Sequence, residues 1–291
     1  MTSPAAVFPF TRRTALVHRR HQLRMALLAL PALALFVLFF GVPVLRLLSL
    51  SVSGGSLQWY VRALTTPLYL NVFVLTFEIA AAVTVVALLI SYPVAYFLAT
   101  TTRAWRAIGF LFVILPLWTS ILVRTYAWMV LLGRNGVINK ALIGLGVIDQ
   151  PLPLLYNFSG VLIGMVHVLL PYMVLPLYSA MRRVDLTLVQ AAQGLGASPA
   201  MLLWRIYLPL TMNGIAAGSI LVFILSLGFF ITPALLGGGK VMMIAPLIQQ
   251  QVGDLLEWNF AAALSTLLLA TTVTIYGLTQ IWIERRQGAS S

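Results

Sequence analysis

QAAQGLGASP (190–199), followed by IYLP (206–209), is a small-residue, glycine-broken interval inside an otherwise membrane-like sequence. Asp185 can cap a helix starting at Leu186, because its carboxylate accepts from backbone N–H groups that a first turn leaves orphaned. Gly194 and Gly196 end that helix, since glycine readily takes the left-handed conformation that closes helices. Ser198 then caps a second helix with Pro199 in its first turn, where the missing donor costs little. Met201, Leu202, Ile206 and Leu208 give that helix an apolar side, and Pro209 marks its junction with the next apolar run. The spacing predicts a helix-turn-helix lying against the inner face of a helical bundle. Ala191, Ala192, Gly196 and Ala197 leave room for a second protein to approach closely.

Around this interval the chain of 291 residues is 61% hydrophobic and only 8% charged. A soluble domain carries about 25% charged residues, so composition points to an integral membrane protein. No cysteine is present, which excludes a disulfide framework, thiol catalysis and cysteine metal sites. The net charge of +12 lies in short clusters between apolar runs and forms no basic stripe, which argues against nucleic acid as a partner. Six runs are long enough to cross the hydrocarbon, which takes about 20 helical residues. They are 25–45, 71–99, 107–132, 158–181, 213–236 and 258–283. The apolar stretch 141–148 is too short to span and is expected as a short extracytoplasmic helix.

Basic residues orient the chain. With the N-terminus inside, twelve arginines fall on the cytosolic side: Arg12, Arg13, Arg19, Arg20, Arg24, Arg103, Arg106, Arg182, Arg183, Arg205, Arg285 and Arg286. Only Arg62, Arg134, Lys140 and Lys240 fall outside, and six spans return the C-terminus to the cytoplasm. The expected organisation is a basic cytosolic tail (1–24), a first transmembrane helix (25–50), a core (71–283) containing the cytosolic loop 183–212, and a cytosolic tail (284–291). Attraction to anionic membrane lipid accounts for the basic N-terminal tail. The loop 51–70 is expected outside and partly ordered. Pro31, Pro43, Pro93, Pro116, Pro171, Pro176 and Pro233 fall within spans, where each removes a donor and can kink its helix.

Few polar side chains lie inside the spans, and each has a functional and a structural reading. Glu78 is the only acid within a span. An acid at mid-membrane costs about 2.5–3.5 kcal/mol, so it is expected to face the bundle interior, as a counter-charge for an amine, as a partner for Arg124, or as a protonated, hydrogen-bonded acid near the outer interface. Arg124 either contacts solute or holds the fold, by pairing with Glu78 or bonding a helix end. Trp118, Tyr126, Tyr172, Phe229 and Phe230 either wall a path for a cation or pack and anchor. His167, among apolar neighbours, reads as a satisfied core histidine, with no second ligand at metal spacing. The run Gly237–Lys240 fails as a phosphate loop, because Ala234 replaces the first glycine and Val241 the Ser/Thr. It reads as a turn.

The loop 190–209 resembles the so-called EAA loop of ABC-importer permeases: Gln190, Ala191, Ala192, then Leu195, Gly196, Ala197, then Ile206 to Pro209. PLWT (116–119) with LVRTY (122–126), GVID (146–149) and LLPYMVLPLY (169–178) are similar to the permeases of spermidine/putrescine-type importers. The resemblance implies an all-α, six-span type I (MetI-like) importer fold in a bacterial inner membrane. It implies a second, related permease, most simply in a heterodimer, and a homodimeric cytosolic ATPase that receives the loop as a coupling helix. It further implies an extracytoplasmic solute-binding protein. The chain would then be a transport subunit and no enzyme, binding no cofactor itself, with ATP and Mg²⁺ on the partner ATPase. The solute implied is a polyamine or related amine such as spermidine, putrescine or 4-aminobutyrate. The chain departs from the family pattern at two places. Gln190 stands where the family has Glu, losing the charge-assisted part of any hydrogen bond made there. Thr232-Pro233-Ala234 stands where an acid often precedes the Leu-Leu-Gly-Gly run, removing one counter-charge for a polycation. A self-sufficient carrier or channel is the competing reading, but it calls for matched broken helices in an internal repeat or a chain of protonatable residues. A membrane scaffold is the third.

Overall fold

A computed structural model describes residues 30–53 and 57–288, and every regular element among them is helical. The expected 1–24 tail, the start of the first span and the last residues of the C-terminal tail lie outside the described residues. Helix α1 is Leu30–Ser51. It is followed by α2 (Gln58–Thr65), α3 (Pro67–Thr100), α4 (Arg103–Trp118), α5 (Ile121–Leu132), α6 (Val137–Gly144) and α7 (Phe158–Met181). Then come α8 (Leu186–Gly194), α9 (Pro199–Leu210), α10 (Met212–Leu227), α11 (Ile231–Gly237), α12 (Ile244–Gly253) and α13 (Trp258–Gly288).

Four helices are long and apolar enough to cross a membrane, and two bent pairs bring the number to six if each is one span. The run 107–132, expected as one helix, instead breaks after Trp118, and the pieces on either side are bent by 102°. Thr119 explains the stop: both its N–H and its hydroxyl donate to the Pro116 carbonyl, turning the chain out of the helix. The run 213–236 likewise breaks at Gly228-Phe229-Phe230, between α10 and α11. The loop 51–70 is largely helical, because α2 forms within it and α3 begins at Pro67, a favoured first position.

Proline is accommodated by a repeated device. The ladder widens to a π-turn at Val37–Gly41 before Pro43 and at Leu203–Tyr207 before Pro209. A proline ring collides with the carbonyl four residues back, and the wider turn relieves that contact.

The centre of the bundle is α3, α7 and α10. Ile79, Val83, Ala87, Val161, Met165, Leu169, Met173, Leu177 and Val222 pack there, all essentially without exposure. Gly214 and Gly218, one helical turn apart on α10, let that helix touch α7. A Cβ on Gly214 would collide with the Ala180 side chain and come within 3.0 Å of the Pro176 carbonyl oxygen. One on Gly218 would stand 2.8 Å from the Met173 sulfur. Small residues at such a seam gain packing where lipid supplies no hydrophobic drive. A second core joins α2, α3, α12 and α13 through Ala63, Tyr69, Val72, Ile244, Leu247, Phe260 and Leu264. Here Arg62 clamps the helices: it donates to Glu257 at 2.7 Å and to the Tyr69 hydroxyl at 3.2 Å, and its guanidinium lies 4.3 Å from the Phe260 ring centre.

The two ends of the bundle carry different loops. Tyr92 and Thr211 hydroxyls meet at 3.2 Å, placing the end of α3 beside the start of α10 and the 183–212 loop. At the same end Arg106 donates to the Leu98 and Thr101 carbonyls, which closes the C-terminus of α3. At the other end the Tyr156 amide donates to the Leu236 carbonyl at 2.9 Å. α7 joins the two ends, and its 24 residues span about 36 Å.

Candidate functional site

The 183–212 loop is built by local rules. Asp185 caps α8, accepting from the Thr187 amide at 2.9 Å, and that bond holds its carboxyl below the usual range. The C-terminus of α8 is a Schellman closure: the Ala197 amide reaches the Ala192 carbonyl at 3.0 Å and the Gly196 amide the Gln193 carbonyl at 2.9 Å. Gly196 takes φ +82°, the left-handed value this closure requires. Gly194 is the last helical residue, and a Cβ there would meet nothing of this chain within 4 Å. Ser198 caps α9 by accepting from the Met201 amide at 3.3 Å. Thr211, buried and bonded through its hydroxyl to the Tyr207 carbonyl at 2.6 Å, then marks a bend of 67° into α10.

The elbow lies against the bundle mainly through its second helix. No residue of α8 is buried, although Val189 packs against the core from it. α9 anchors the unit instead, through Leu202 and Tyr207. α9 turns Leu202, Leu203, Ile206 and Tyr207 to the bundle, whereas of the three large aliphatic residues of α8 only Val189 packs on it and Leu186 and Leu188 are exposed. Leu195, at the tip, is 89% exposed, and Leu186, Leu188, Met201 and Trp204 are also exposed. Gln190 and Ala191 are exposed, and Ala192 and Ala197 half-buried, while Pro209 is exposed at the junction. An apolar projection of this kind suits a partner surface.

The residues singled out within the spans do not converge on one cavity. Glu78 and Arg124 form no pair: among the described residues the one ion pair is Arg62–Glu257. Glu78 does not face the interior of this chain. It lies on an exposed stripe of α3 with Asn71, Val74, Ala81, Val85 and Leu89, because the opposite face of α3 fills the core. Arg124, on α5, has buried Nε and Nη1 atoms with no hydrogen-bond partner. Next to it, buried Thr125 and Thr232 share a hydroxyl contact of 3.2 Å, joining the two half-helices α5 and α11 that follow the breaks. Trp118 is 83% exposed at the end of α4. Tyr126, Tyr172 and Phe230 are partly exposed, whereas Phe229 packs against the core. No ring contact links these five aromatics among the described residues. His167 accepts from the Trp128 indole at 3.2 Å on Nδ1, a satisfied histidine.

At the end opposite the elbow the turn at 237–240 was expected, but the clefts beside it were not. Gly238 and Gly239 both have positive φ, 55° and 78°, and form the turn expected at 237–240. A cleft of about 570 Å³ lies on one side of this turn, lined by residues that include Arg134, Tyr156 and Lys240. A smaller one of about 220 Å³ lies on the other side, lined by Phe230, Gln249, Gln250 and Asp254 among others. Asp254 ends a short helix whose position only the tertiary fold determines, so no local signal marked it.

Known proteins share this architecture. Residues 21–288 match the family described as "Binding-protein-dependent transport system inner membrane component". The chain is 38% identical over 224 residues to the spermidine/putrescine transport system permease protein PotB of Escherichia coli (strain K12), covering 76% of this chain and 81% of that protein. It is 33% identical over 230 residues to the inner membrane ABC transporter permease protein YdcU of the same organism, covering 74% and 72%. Among solved structures, a bacterial ABC transporter that imports alginate matches with a TM-score of 0.71 at 17% identity, covering 94% of this chain and 99% of that one. A second structure, of a bacterial alginate transporter in complex with a pentasaccharide-bound periplasmic protein, matches with a TM-score of 0.74 at 17% identity, covering 90% and 93%. At that identity the likeness is one of fold.

Proposed function

The chain belongs to the family of binding-protein-dependent transport system inner membrane components, and on that premise we propose that it forms half of the path of a bacterial ATP-driven importer for a polyamine or related amine. It is a transport subunit and not an enzyme. The single observation that carries the coupling role is the exposed, Schellman-closed elbow with Leu195 at its tip, 89% exposed and unsupported by its own bundle. In the proposed complex a homodimeric ATPase receives α8 on the cytosolic side, and ATP and Mg²⁺ reside on that partner. Both termini are cytosolic, in keeping with the arginine bias. A second, related permease covers the α3 stripe that carries Glu78, because a carboxylate facing lipid costs about 2.5–3.5 kcal/mol. Spermidine, putrescine and 4-aminobutyrate are the amines considered, on the strength of the likeness to PotB.

Closure of the ATPase on ATP moves the elbow, and the elbow moves α10 and α7 through the Gly214–Gly218 seam. ATP shifts the balance only by binding one state more tightly than the other. The experiment is Gly194→Trp in the assembled importer. A Cβ there meets nothing of this chain within 4 Å, and unchanged hydrogen exchange of the loop in the variant would assign a loss of uptake to the partner. ATP-driven putrescine uptake in proteoliposomes is expected to fall at least tenfold with normal insertion. Full uptake by this variant refutes the placement of the ATPase.

A further inference from the structure

The glycine turn at 237–240 separates two clefts of opposite charge. Arg134 and Lys240 line the cleft on one side. Asp254 is the one charged residue lining the other, with the carboxamides of Gln249 and Gln250 and the ring of Phe230, and the rest of its wall is apolar. The Asp254 carboxylate is exposed and in no ion pair among the described residues. It stands at the C-terminus of α12, where the helix dipole already presents partial negative charge. The helix opposes a carboxylate at that end, so helix stability does not explain this acid. A cation in the cleft gains from both. The turn that carries Asp254 is held firmly. The Asp254 and Leu255 amides donate to the Gln250 carbonyl at 3.0 and 3.1 Å, and the Glu257 amide donates to the Gln251 carbonyl at 2.8 Å. Leu256 takes φ 57°, a conformation costly for a residue with a side chain and kept only where surrounding structure enforces it. Just beyond it, Glu257 takes up the nearby cation Arg62.

The cleft measures about 220 Å³, below the roughly 300–1,000 Å³ of pockets for drug-sized ligands, so it suits a small ion. A carboxylate, two carboxamides and an aromatic ring, with no cation among them, make an environment for an alkylammonium group, whose methylenes the apolar wall accepts. A carboxylate or phosphate finds no positive partner here. Ala234, from α11, lines the same cleft without charge, so Asp254 is its sole counter-charge. Phe230 stands at the break between α10 and α11, so the cleft reaches from the turn after α12 to that break. We propose that this cleft is a receiving subsite for an ammonium group of the solute, with Asp254 as counter-charge and Phe230 as the π face. The inference rests on the importer reading and deepens it, by giving the amine a point of contact on this chain.

The test uses the complete importer in proteoliposomes with saturating, putrescine-loaded binding protein, and reads putrescine uptake and ATP hydrolysis together. A wild type that takes up no putrescine refutes the amine-importer reading, and this proposal falls with it. With an active wild type, Asp254→Asn is expected to lower uptake about tenfold, because a charge-assisted contact is lost. ATP hydrolysis stimulated by the binding protein is expected to stay within about twofold of wild type, a split that misfolding or failed assembly does not produce. Asp254→Glu is expected to retain uptake. So is the exchange Asp254→Asn/Ala234→Asp, which returns a carboxylate to the same cleft from α11. Unchanged uptake in Asp254→Asn overturns the proposal alone. So does a loss that ATP hydrolysis shares in full, or one that neither Asp254→Glu nor the exchange restores.

Discussion

Gly194 and Gly196 stand two residues apart, and the same added methyl group is expected to move them in opposite directions. Gly196 holds φ +82°, and an L-residue in the left-handed region costs roughly 1–2 kcal/mol. Gly194 is helical with open space at its Cβ, so alanine there gains about 0.8–1.0 kcal/mol of helix propensity. A loop with no buried residue in α8 has little else to hold it, so these increments should appear almost whole in its local opening. A loss of 1–2 kcal/mol changes the closed-to-open ratio by about 5- to 30-fold. The assay is hydrogen exchange on the importer in nanodiscs, reading peptides that report the Gly196 and Ala197 amides, which bond Gln193 and Ala192. Gly196→Ala is expected to accelerate exchange by that factor, and Gly194→Ala to slow it about fivefold. Unchanged exchange in Gly196→Ala, or shifts of the same sign in both variants, refutes the closure as the element ordering the loop. Uptake adds a second reading. If a partner packs on α8, Gly194→Ala loses uptake although its loop is more ordered, a combination that instability cannot produce.

Three further outcomes are expected. Gly214→Val should destabilise the α7–α10 seam by about 1–3 kcal/mol, because its branches meet Ala180 and the Pro176 carbonyl; thermal unfolding in detergent reads this, with Gly277→Ala, which has open space, as the unaffected control. A double-mutant cycle between Arg62→Met and Glu257→Gln should return about 0.2–1 kcal/mol, falling with salt, since both side chains are more than a third exposed. The Asp185 carboxyl is held below its ordinary range in the folded loop by the Thr187 amide. Its capping contribution is therefore fully present above the unfolded carboxylate pKa and is lost as pH falls through the lower folded value. Exchange at the start of α8 should thus be steady from neutral pH down to that range and lose protection below it. Asp185→Asn should keep the cap and remove this pH dependence.

What the sequence made legible was whatever depends on near neighbours. The caps at Asp185 and Ser198 and the glycine stop at Gly196 are local hydrogen-bond chemistry, and they stand where the residue types put them. Pro116 and Pro233 marked kinks in these spans, but full breaks after Trp118 and Leu227 were not legible, because a span-length window averages over the short polar or glycine interruption at each. The Thr119 hydroxyl and the Thr125–Thr232 contact that accompany them draw on turn and tertiary geometry. Glu78 shows the same limit more sharply. Its cost in lipid was readable, but the inference that it turns inward assumed a bundle complete in one chain. The stripe on which it sits is exposed here, so the same physics now points outward, to a covering subunit. The two clefts flanking Gly238 and Gly239 were illegible, since each is assembled from segments far apart in sequence.

The arrangement of whole and broken helices bears on how motion can pass through the chain. α3 and α7 are unbroken and share the central core with α10. Interiors packed at this density do not deform gradually, so displacement of the elbow must move that block as a unit. The half-helices α5 and α11 differ: each follows a break, and they are joined to each other by Thr125 and Thr232. α11 also rests on α7, where Gly164 admits the Leu236 and Thr232 side chains. A change of angle at Thr119-Ser120 or Gly228-Phe230 would have to repack Leu236 of α11 and Trp128 and Met129 of α5 against the core. Arg124 lies on one of these half-helices, and two of its buried nitrogens lack a partner. Two buried nitrogens without a partner are costly and are tolerated best where another arrangement satisfies them. Under the proposed coupling the α3–α7–α10 block carries the force, and the Arg124 segment is where rearrangement gains a partner for unpaired groups.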